Sequence, residues 1–123
     1  MAHNPRFLAL VDDCRKRIKE CDVHQVQQWL AQGLEFKLID NREQDEWQKS
    51  RIPGAQYMGR GVLERDVETL IPNLDSMIVI YCGGGFRSAL SADNLVKMGY
   101  TNVISMDGGI RGWKDANYPL EGA

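Results

Sequence analysis

The sequence predicts an α/β domain with a mostly parallel central sheet of about five strands and helices on both faces. Short apolar runs typical of buried strands alternate with segments of helical periodicity, and the connections between them are short. This alternation favours parallel pairing, because each helix carries the chain back to the same edge of the sheet. The length of 123 residues, 43% of them hydrophobic, fits a single domain of ordinary size.

The first segment predicts a helix outside this alternation. Asn4 and Pro5 suit a helix cap and a first helical residue, and apolar residues follow at roughly helical spacing up to a basic end. We therefore expect a helical extension at residues 1–17 and a domain at residues 18–123.

The remaining elements are bounded by polar caps, glycines or prolines. We expect strands at residues 18–21, 35–39, 57–58, 77–80 and 100–106. We expect helices at residues 23–31, 45–49, 62–71, 88–98 and 110–116.

A cysteine followed by three glycines stands between a predicted strand and the next predicted helix. The first amides of a helix lack internal partners and carry partial positive charge, so a thiolate is stabilised there. Glycines let several N–H groups converge on one point. A packing cysteine beside a flexible turn is the plainer alternative. We expect a nucleophile at Cys82 and a substrate-binding loop made of Gly83, Gly84, Gly85, Phe86 and Arg87, in which the arginine attracts an anion.

Three further residues are candidates for supporting this loop. Asp40 and Arg42 follow a predicted strand, and sites gather at the carboxyl edge of parallel sheets. Arg60 is flanked by glycines and could face an anion pocket. The alternatives are an ordinary surface ion pair and a solvated loop arginine.

The sequence predicts that the other two cysteines are packing residues and not reactive ones. Cys14 and Cys21 show no paired spacing with each other or with Cys82, so reduced thiols are favoured over a disulfide scaffold. No partner ligand stands at metal spacing beside His24, so we expect no metal site and a solvated histidine.

The charge and the hydropathy pattern limit the partners. A net charge of −2 gives no electrostatic reason to expect nucleic acid or a membrane surface. Residues 1–6 show no targeting pattern and no run approaches the length of a membrane span, so we expect a cytoplasmic protein.

With these elements in order, the chain resembles the rhodanese-like family, specifically its single-domain sulfurtransferases. The resemblance spans roughly residues 18–119, and its motifs are residues 38–43, 51–55, 82–87 and 99–113. The chain departs from the family pattern at Asn41, where an aliphatic residue is usual, and at Arg51, where a histidine is usual.

The resemblance implies transfer of a sulfane sulfur from a donor such as thiosulfate, through a persulfide on Cys82, to cyanide or a thiol. A protein sulfur acceptor is a further expected partner, and no metal or organic cofactor is required.

Two other functions remain open. Cysteine-dependent phosphatases and arsenate reductases also use a Cys–Arg loop, but the phosphatases that resemble this arrangement place five residues between the two, whereas four lie between Cys82 and Arg87. A non-catalytic rhodanese-like binding module would keep the shape without the chemistry, and the intact cysteine argues against it.

Overall fold

The computed structural model describes residues 3–122, and in this range it contains five strands and six helices. The strands are β1 (Lys19–Cys21), β2 (Lys37–Asp40), β3 (Gln56–Tyr57), β4 (Ile78–Tyr81) and β5 (Val103–Met106). The helices are α1 (Pro5–Arg15), α2 (Val23–Ala31), α3 (Gln44–Lys49), α4 (Leu63–Leu70), α5 (Phe86–Lys97) and α6 (Gly109–Asp115).

All five strands join one parallel sheet in the order β1-β5-β4-β2-β3. The central strand, β4, is buried along its whole length between β5 and β2. Cys82 follows this strand directly, so it lies at the middle of the carboxyl edge of the sheet. The predicted α/β fold with a parallel sheet is confirmed.

Helices cover both faces of the sheet, as predicted. Successive residues of a strand point to opposite faces. Accordingly, Leu38 and Val79 pack in one core with α2 and α6, while Ile39 and Ile80 pack in the other with α4 and α5. Burying each of these side chains contributes roughly 1.5–3 kcal/mol.

Most element boundaries differ from the expected ones by one to three residues, and two of these differences have a clear cause in the structure. Helix α5 begins at Phe86 rather than at residue 88, because Gly85 already serves as its N-cap with a φ of +100°. Strand β5 begins at Val103 rather than at residue 100, because the N–H of Tyr100 bonds to the carbonyl of Leu95 and closes α5 instead. Because α5 begins at Phe86, the last two residues of the predicted substrate-binding loop, Phe86 and Arg87, belong to the helix.

The N-terminal helix packs against α5. Val11 and Cys14 of α1 meet Ala89 and Leu90 of α5 in a small apolar cluster. Neither α1 nor any other helix in the described range is long and apolar enough to cross a membrane. The division into residues 1–17 and 18–123 stays a prediction, and its outermost residues, 1, 2 and 123, lie outside the described residues.

A buried carboxylate fastens the end of this extension to α5. The guanidinium of Arg17 donates from Nε to Oδ1 and from Nη2 to Oδ2 of Asp93, both at 2.9 Å. The Asp93 side chain is 2% exposed, and it also accepts from the thiol of Cys14 at 3.4 Å. The hydrogen bonds from Arg17 lower the pKa of Asp93 to about 2.

We predict that this carboxylate contributes stability that is lost in acid. The folded-state pKa is depressed, so the contribution is present above the unfolded value of 3.8 and is lost as the pH falls towards 2. Chemical denaturation should show that Asp93→Asn is less stable than the wild type near neutral pH. That gap should shrink by about 1–2 kcal/mol between pH 4 and pH 2, allowing for solvent screening of Arg17.

The control for this measurement is Asp12→Asn, which removes an exposed carboxylate of α1. We expect it to match the wild type at each pH. A stability gap between wild type and Asp93→Asn that does not change with pH would contradict the assignment.

Candidate active site

The sulfur of Cys82 occupies the position of a helix cap. Its Sγ accepts the backbone N–H of Gly85 at 3.2 Å and that of Ser88 at 3.3 Å. These donors belong to the N-cap and the first turn of α5, where amides lack partners within the helix. The partial positive charge at this end of the helix therefore faces the sulfur.

Two buried serines extend the hydrogen bonds behind the sulfur. The Cys82 thiol donates to Ser88 Oγ at 3.5 Å, and Ser88 Oγ lies 2.8 Å from Ser105 Oγ. A hydroxyl can donate as well as accept, so Ser88 can turn its proton towards a thiolate. Sequence reasoning missed both serines, since nothing in the sequence indicated that β5 would place Ser105 here.

Helix α6 forms hydrogen bonds with two backbone carbonyls of the loop. The N–H of Ile110 donates to the carbonyl of Cys82 at 2.9 Å, and the N–H of Arg111 donates to that of Gly83 at 3.0 Å. This close approach needs a glycine at position 109, where a Cβ would lie 2.5 Å from both carbonyl oxygens. These two carbonyls are thus turned towards α6, while the amides of Gly85 and Ser88 face the sulfur.

The expected anion-binding arginine is already paired with a carboxylate. Arg87 donates from Nη1 and Nη2 to the two oxygens of Glu46 at 3.1 and 3.4 Å. Burial by itself would raise the pKa of Glu46, but the hydrogen bonds from Arg87 and from the backbone of Glu43 outweigh it and hold that pKa below its usual value. Since a guanidinium carries five N–H donors, the pair leaves Arg87 with donors for a ligand.

A cavity of about 260 Å³ opens in front of the sulfur. It is lined by His3, Phe7, Cys82, Gly83, Gly84, Phe86, Arg87 and Arg111. Among these described lining residues two are arginines and none is acidic, so the cavity suits a small anion. The structure thus brings the predicted loop together, with Gly85 contributing its amide to the sulfur rather than lining the cavity.

Arg111, His3 and Phe7 were not predicted as site residues. The motif that contains Arg111 is visible in the sequence, but the direction of its side chain depends on how α6 packs against the loop. His3 and Phe7 precede the domain and reach the cavity only because α1 lies on α5.

Asp40 and Arg42 form a buried ion pair rather than a surface one. Arg42 Nη2 lies 2.7 Å from Asp40 Oδ2, and it also donates to the carbonyl of Ser50 at 2.6 Å. Neither side chain is among those lining the cavity. The guanidinium of Arg42 lies 5.9 Å from the ring centroid of Tyr81, the residue before Cys82. The pair therefore fixes the chain around the site without facing a ligand.

Asn41 and Arg60 lie away from the sulfur. The amide of Asn41 donates to the carbonyl of Met58 at 2.9 Å, and its oxygen accepts from Ser91 Oγ at 2.6 Å, so this departure from the family pattern forms a buried polar contact. Arg60 is exposed, and among the described contacts none joins it to the loop. No described contact therefore supports the prediction that Arg60 assists the loop.

The other two thiols lie in packed surroundings. Burial raises the pKa of Cys21 to about 12, and burial followed by the hydrogen bond to Asp93 raises that of Cys14. Both therefore stay protonated near neutral pH. Cys82 is the one cysteine of the three that lines the cavity.

The model of the Rhodanese-like domain family matches residues 22–116, so the chain belongs to this family. The resemblance inferred from the sequence is confirmed. The match includes the loop around Cys82 and begins after α1.

Two relatives carry sulfurtransferase names. The chain is similar to the "Probable adenylyltransferase/sulfurtransferase MoeZ" of Mycobacterium tuberculosis, with 28% identity over 89% of this chain, but it spans only 29% of that protein's length. It is also similar to the "Thiosulfate sulfurtransferase GlpE" of Vibrio cholerae, with 28% identity over 81% of this chain and 92% of that one.

Several solved structures match nearly the whole chain. RPA3614 from Rhodopseudomonas palustris, described as a protein of unknown function and a "Possible Tyrosine Phosphatase", is 27% identical and superposes with a TM-score of 0.87. The match covers 98% of this chain and 99% of that one, so it extends over the N-terminal helix.

We predict that Gly109→Ala disturbs the site and not only the backbone. Gly109 has a φ of +57°, and its Cβ would meet the loop carbonyls. Gly33→Ala is the matched control, since Gly33 has a φ of +71° with open space around it. Thermal unfolding should show the left-handed cost of about 1–2 kcal/mol for Gly33→Ala and a clearly larger loss for Gly109→Ala.

The rate at which iodoacetamide alkylates Cys82, followed by peptide mapping, reports on the loop itself. It should fall severalfold in Gly109→Ala and stay at the wild-type value in Gly33→Ala. Equal stabilities and equal alkylation rates in the two variants would show that α6 does not hold the loop.

Proposed function

We propose that this protein is a thiosulfate sulfurtransferase that works through a persulfide on Cys82. The Cys82 thiolate attacks the outer sulfur of thiosulfate, a new S–S bond forms, and the bond to the sulfonate sulfur breaks, so that sulfite leaves with the electron pair. Cyanide or a thiolate then attacks the outer sulfur of the persulfide. The products are thiocyanate or a new persulfide, and the Cys82 thiolate is regenerated.

The observation that carries the proposal is the position of the Cys82 sulfur under two backbone amides and beside two arginines. The amides of Gly85 and Ser88 lie 3.2 and 3.3 Å from Sγ. Hydrogen bonds to a charged group contribute about 1.5–3 kcal/mol each. The same donors favour the thiolate before transfer and the negative charge of the persulfide after it.

The two arginines in the cavity are placed to bind the sulfonate part of the thiosulfate donor. Arg87 and Arg111 line the cavity in front of the sulfur. A guanidinium can hold two oxygens of a sulfonate in a fork, and the attraction continues as sulfite forms. Sulfite departs without a proton, so the reaction needs no general acid.

The relatives support the same reaction class. The GlpE protein of Vibrio cholerae, which is named a thiosulfate sulfurtransferase, matches this chain over 92% of its own length. The MoeZ protein includes sulfurtransferase in its name, although this chain spans a minor part of it.

The acceptor is a small thiophile or a thiol on another protein. The cavity opens to the surface, so the persulfide on Cys82 can be reached from outside. We place this chemistry in the cytoplasm, where reducing conditions keep Cys82 and the other two cysteines as thiols. The net charge of −2 offers no reason to add nucleic acid or a membrane surface as a partner.

Phosphate ester hydrolysis is the main rival, and the description of RPA3614 as a "Possible Tyrosine Phosphatase" names it. An alcohol leaving group must be protonated, which calls for a general acid. Glu46 is the acid that the fold brings to Arg87, and its lowered pKa keeps it ionised near neutral pH. The four-residue loop between Cys82 and Arg87 also leaves less room for a phosphoryl group. The same arguments weigh against arsenate reduction.

A binding module without catalysis is the second rival. Such a module has no need of a cysteine sulfur held by amides at the back of a cavity. The presence of Cys82 there, with both arginines, favours chemistry.

We predict Cys82-dependent sulfur transfer without comparable phosphatase activity. Thiosulfate–cyanide transfer and hydrolysis of an aryl phosphate should be assayed side by side, with Cys82→Ser as the blank for both. Transfer should exceed the blank and phosphate release should not. Phosphate release that depends on Cys82 and rivals transfer would overturn the choice of reaction class.

We predict that Arg87→Lys lowers kcat/KM for thiosulfate by about tenfold, because lysine offers a point charge in place of a fork. Glu46→Gln is the matched control, since it removes the charge of the carboxylate that pairs with Arg87 and keeps the guanidinium. The partly exposed pair contributes about 0–1 kcal/mol, so both variants should melt near the wild type.

The comparison of these two variants separates binding from structure. Glu46→Gln should keep most of the thiosulfate activity that Arg87→Lys loses. Equal losses of activity in both variants, accompanied by lower melting temperatures, would assign Arg87 a structural role instead.

A further inference from the structure

The first residues of the described chain form one wall of the catalytic cavity. His3, just before α1, and Phe7, in its first turn, line the same space as Cys82. Helix α1 reaches this position because its buried side packs against α5, which also carries Phe86 and Arg87. The segment outside the family match thus contributes directly to the site.

This wall is aromatic. The rings of His3 and Phe86 are 4.3 Å apart between centroids, those of His3 and Phe7 are 5.3 Å apart, and those of Phe7 and Phe86 are 6.1 Å apart. The guanidinium of Arg15 lies 5.1 Å from the Phe86 centroid and gives that ring a further contact from α1. Three rings therefore lie together at the cavity. Two of them come from the N-terminal segment, Phe7 from α1 and His3 from two residues before it.

Positively charged side chains line the same cavity as the aromatic rings. Arg87 and Arg111 bring positive charge near Cys82, and none of the described lining residues is acidic. The cavity of about 260 Å³ approaches the ~300–1,000 Å³ typical of small-molecule sites. A bare oxyanion would satisfy the arginines and leave the aromatic wall without a partner.

We propose that His3 and Phe7 are specificity-determining residues that make this site select sulfur donors with an anionic thiosulfonate group on an aromatic body. The inference rests on the proposed sulfur transfer and names the substrate class of that site. The thiosulfonate oxygens face Arg87 and Arg111, the outer sulfur faces Cys82, and the aromatic body lies against His3, Phe7 and Phe86.

The transfer step is balanced for such a donor. The Cys82 thiolate forms a bond to the outer sulfur of the thiosulfonate, and the bond between that sulfur and the sulfonyl sulfur breaks. The electron pair leaves on the sulfonyl sulfur, which becomes a sulfinate. One anionic sulfinate and one persulfide anion result from one thiosulfonate anion and one thiolate.

The test compares two donors that share the reacting group. Benzenethiosulfonate and methanethiosulfonate differ only in the body attached to the sulfonyl sulfur, and the ratio of their kcat/KM values is measured in each variant. Differences in intrinsic reactivity cancel when the ratios of two variants are compared. Phe7→Ala and His3→Ala remove the wall, and Leu10→Ala, which shortens a side chain of α1 that is 53% exposed, is the control.

We expect the benzene-to-methane ratio to fall by about two- to tenfold in Phe7→Ala and in His3→Ala, as befits the loss of an aromatic contact. It should stay at the wild-type value in Leu10→Ala. His3 precedes α1 and is exposed, so His3→Ala tests the wall even if Phe7→Ala disturbs the packing of α1. The same ratio in the wild type and in both wall variants would overturn the inference and leave sulfur transfer standing.

A second measurement does not depend on sulfur transfer. Benzenesulfonate and methanesulfonate carry no transferable sulfur, and each can protect Cys82 from alkylation by iodoacetamide. We expect benzenesulfonate to protect the wild type at lower concentration than methanesulfonate, and His3→Ala to lose this difference. Equal protection by both compounds in the wild type would overturn the inference. If thiosulfate places sulfur on Cys82 and neither thiosulfonate does, the inference fails and the proposed function stands. If none of the three donors places sulfur on Cys82, the proposed function fails, and the protection experiment still decides whether the wall binds an aromatic anion.

Discussion

The site depends on two backbone amides that point at one sulfur. The Gly85 and Ser88 N–H groups can reach Cys82 Sγ because β4 ends where α5 begins and because α6 draws the loop carbonyls the other way. Each of these three elements is fixed elsewhere, β4 by its two parallel neighbours and the two helices by opposite cores. The donors are therefore in place before any substrate arrives, which is the condition for strong electrostatic stabilisation.

The N-terminal helix contributes both to the stability of the fold and to the lining of the candidate site. It is fastened to α5 by the apolar cluster at Ala89 and Leu90 and by the buried Asp93. The first turn of α5 donates to the Cys82 sulfur. The N-terminal helix supplies Phe7 to the cavity, with His3 just before it. A segment outside the 22–116 family match thus lines the cavity together with Cys82.

The sequence predicted those parts of the site that are local in the chain. The loop from Cys82 to Arg87 is contiguous, and the parallel sheet follows from the alternation of strands and helices, so both could be inferred before the structure. Glu46, His3 and Ser105 lie far from the loop in sequence and arrive through helix packing and strand order. The alternation of strand and helix patterns predicted the segments that carry these three residues. It did not predict the directions of their side chains, which depend on tertiary packing.

The central claim is that Cys82 carries the transferred sulfur. The most direct measurement is the intact mass of the protein after incubation with thiosulfate and removal of the excess under non-reducing conditions. The account predicts a gain of one sulfur atom in the wild type and in Cys14→Ser and Cys21→Ser, and no gain in Cys82→Ser. No gain in the wild type, or a gain that persists in Cys82→Ser, would contradict it.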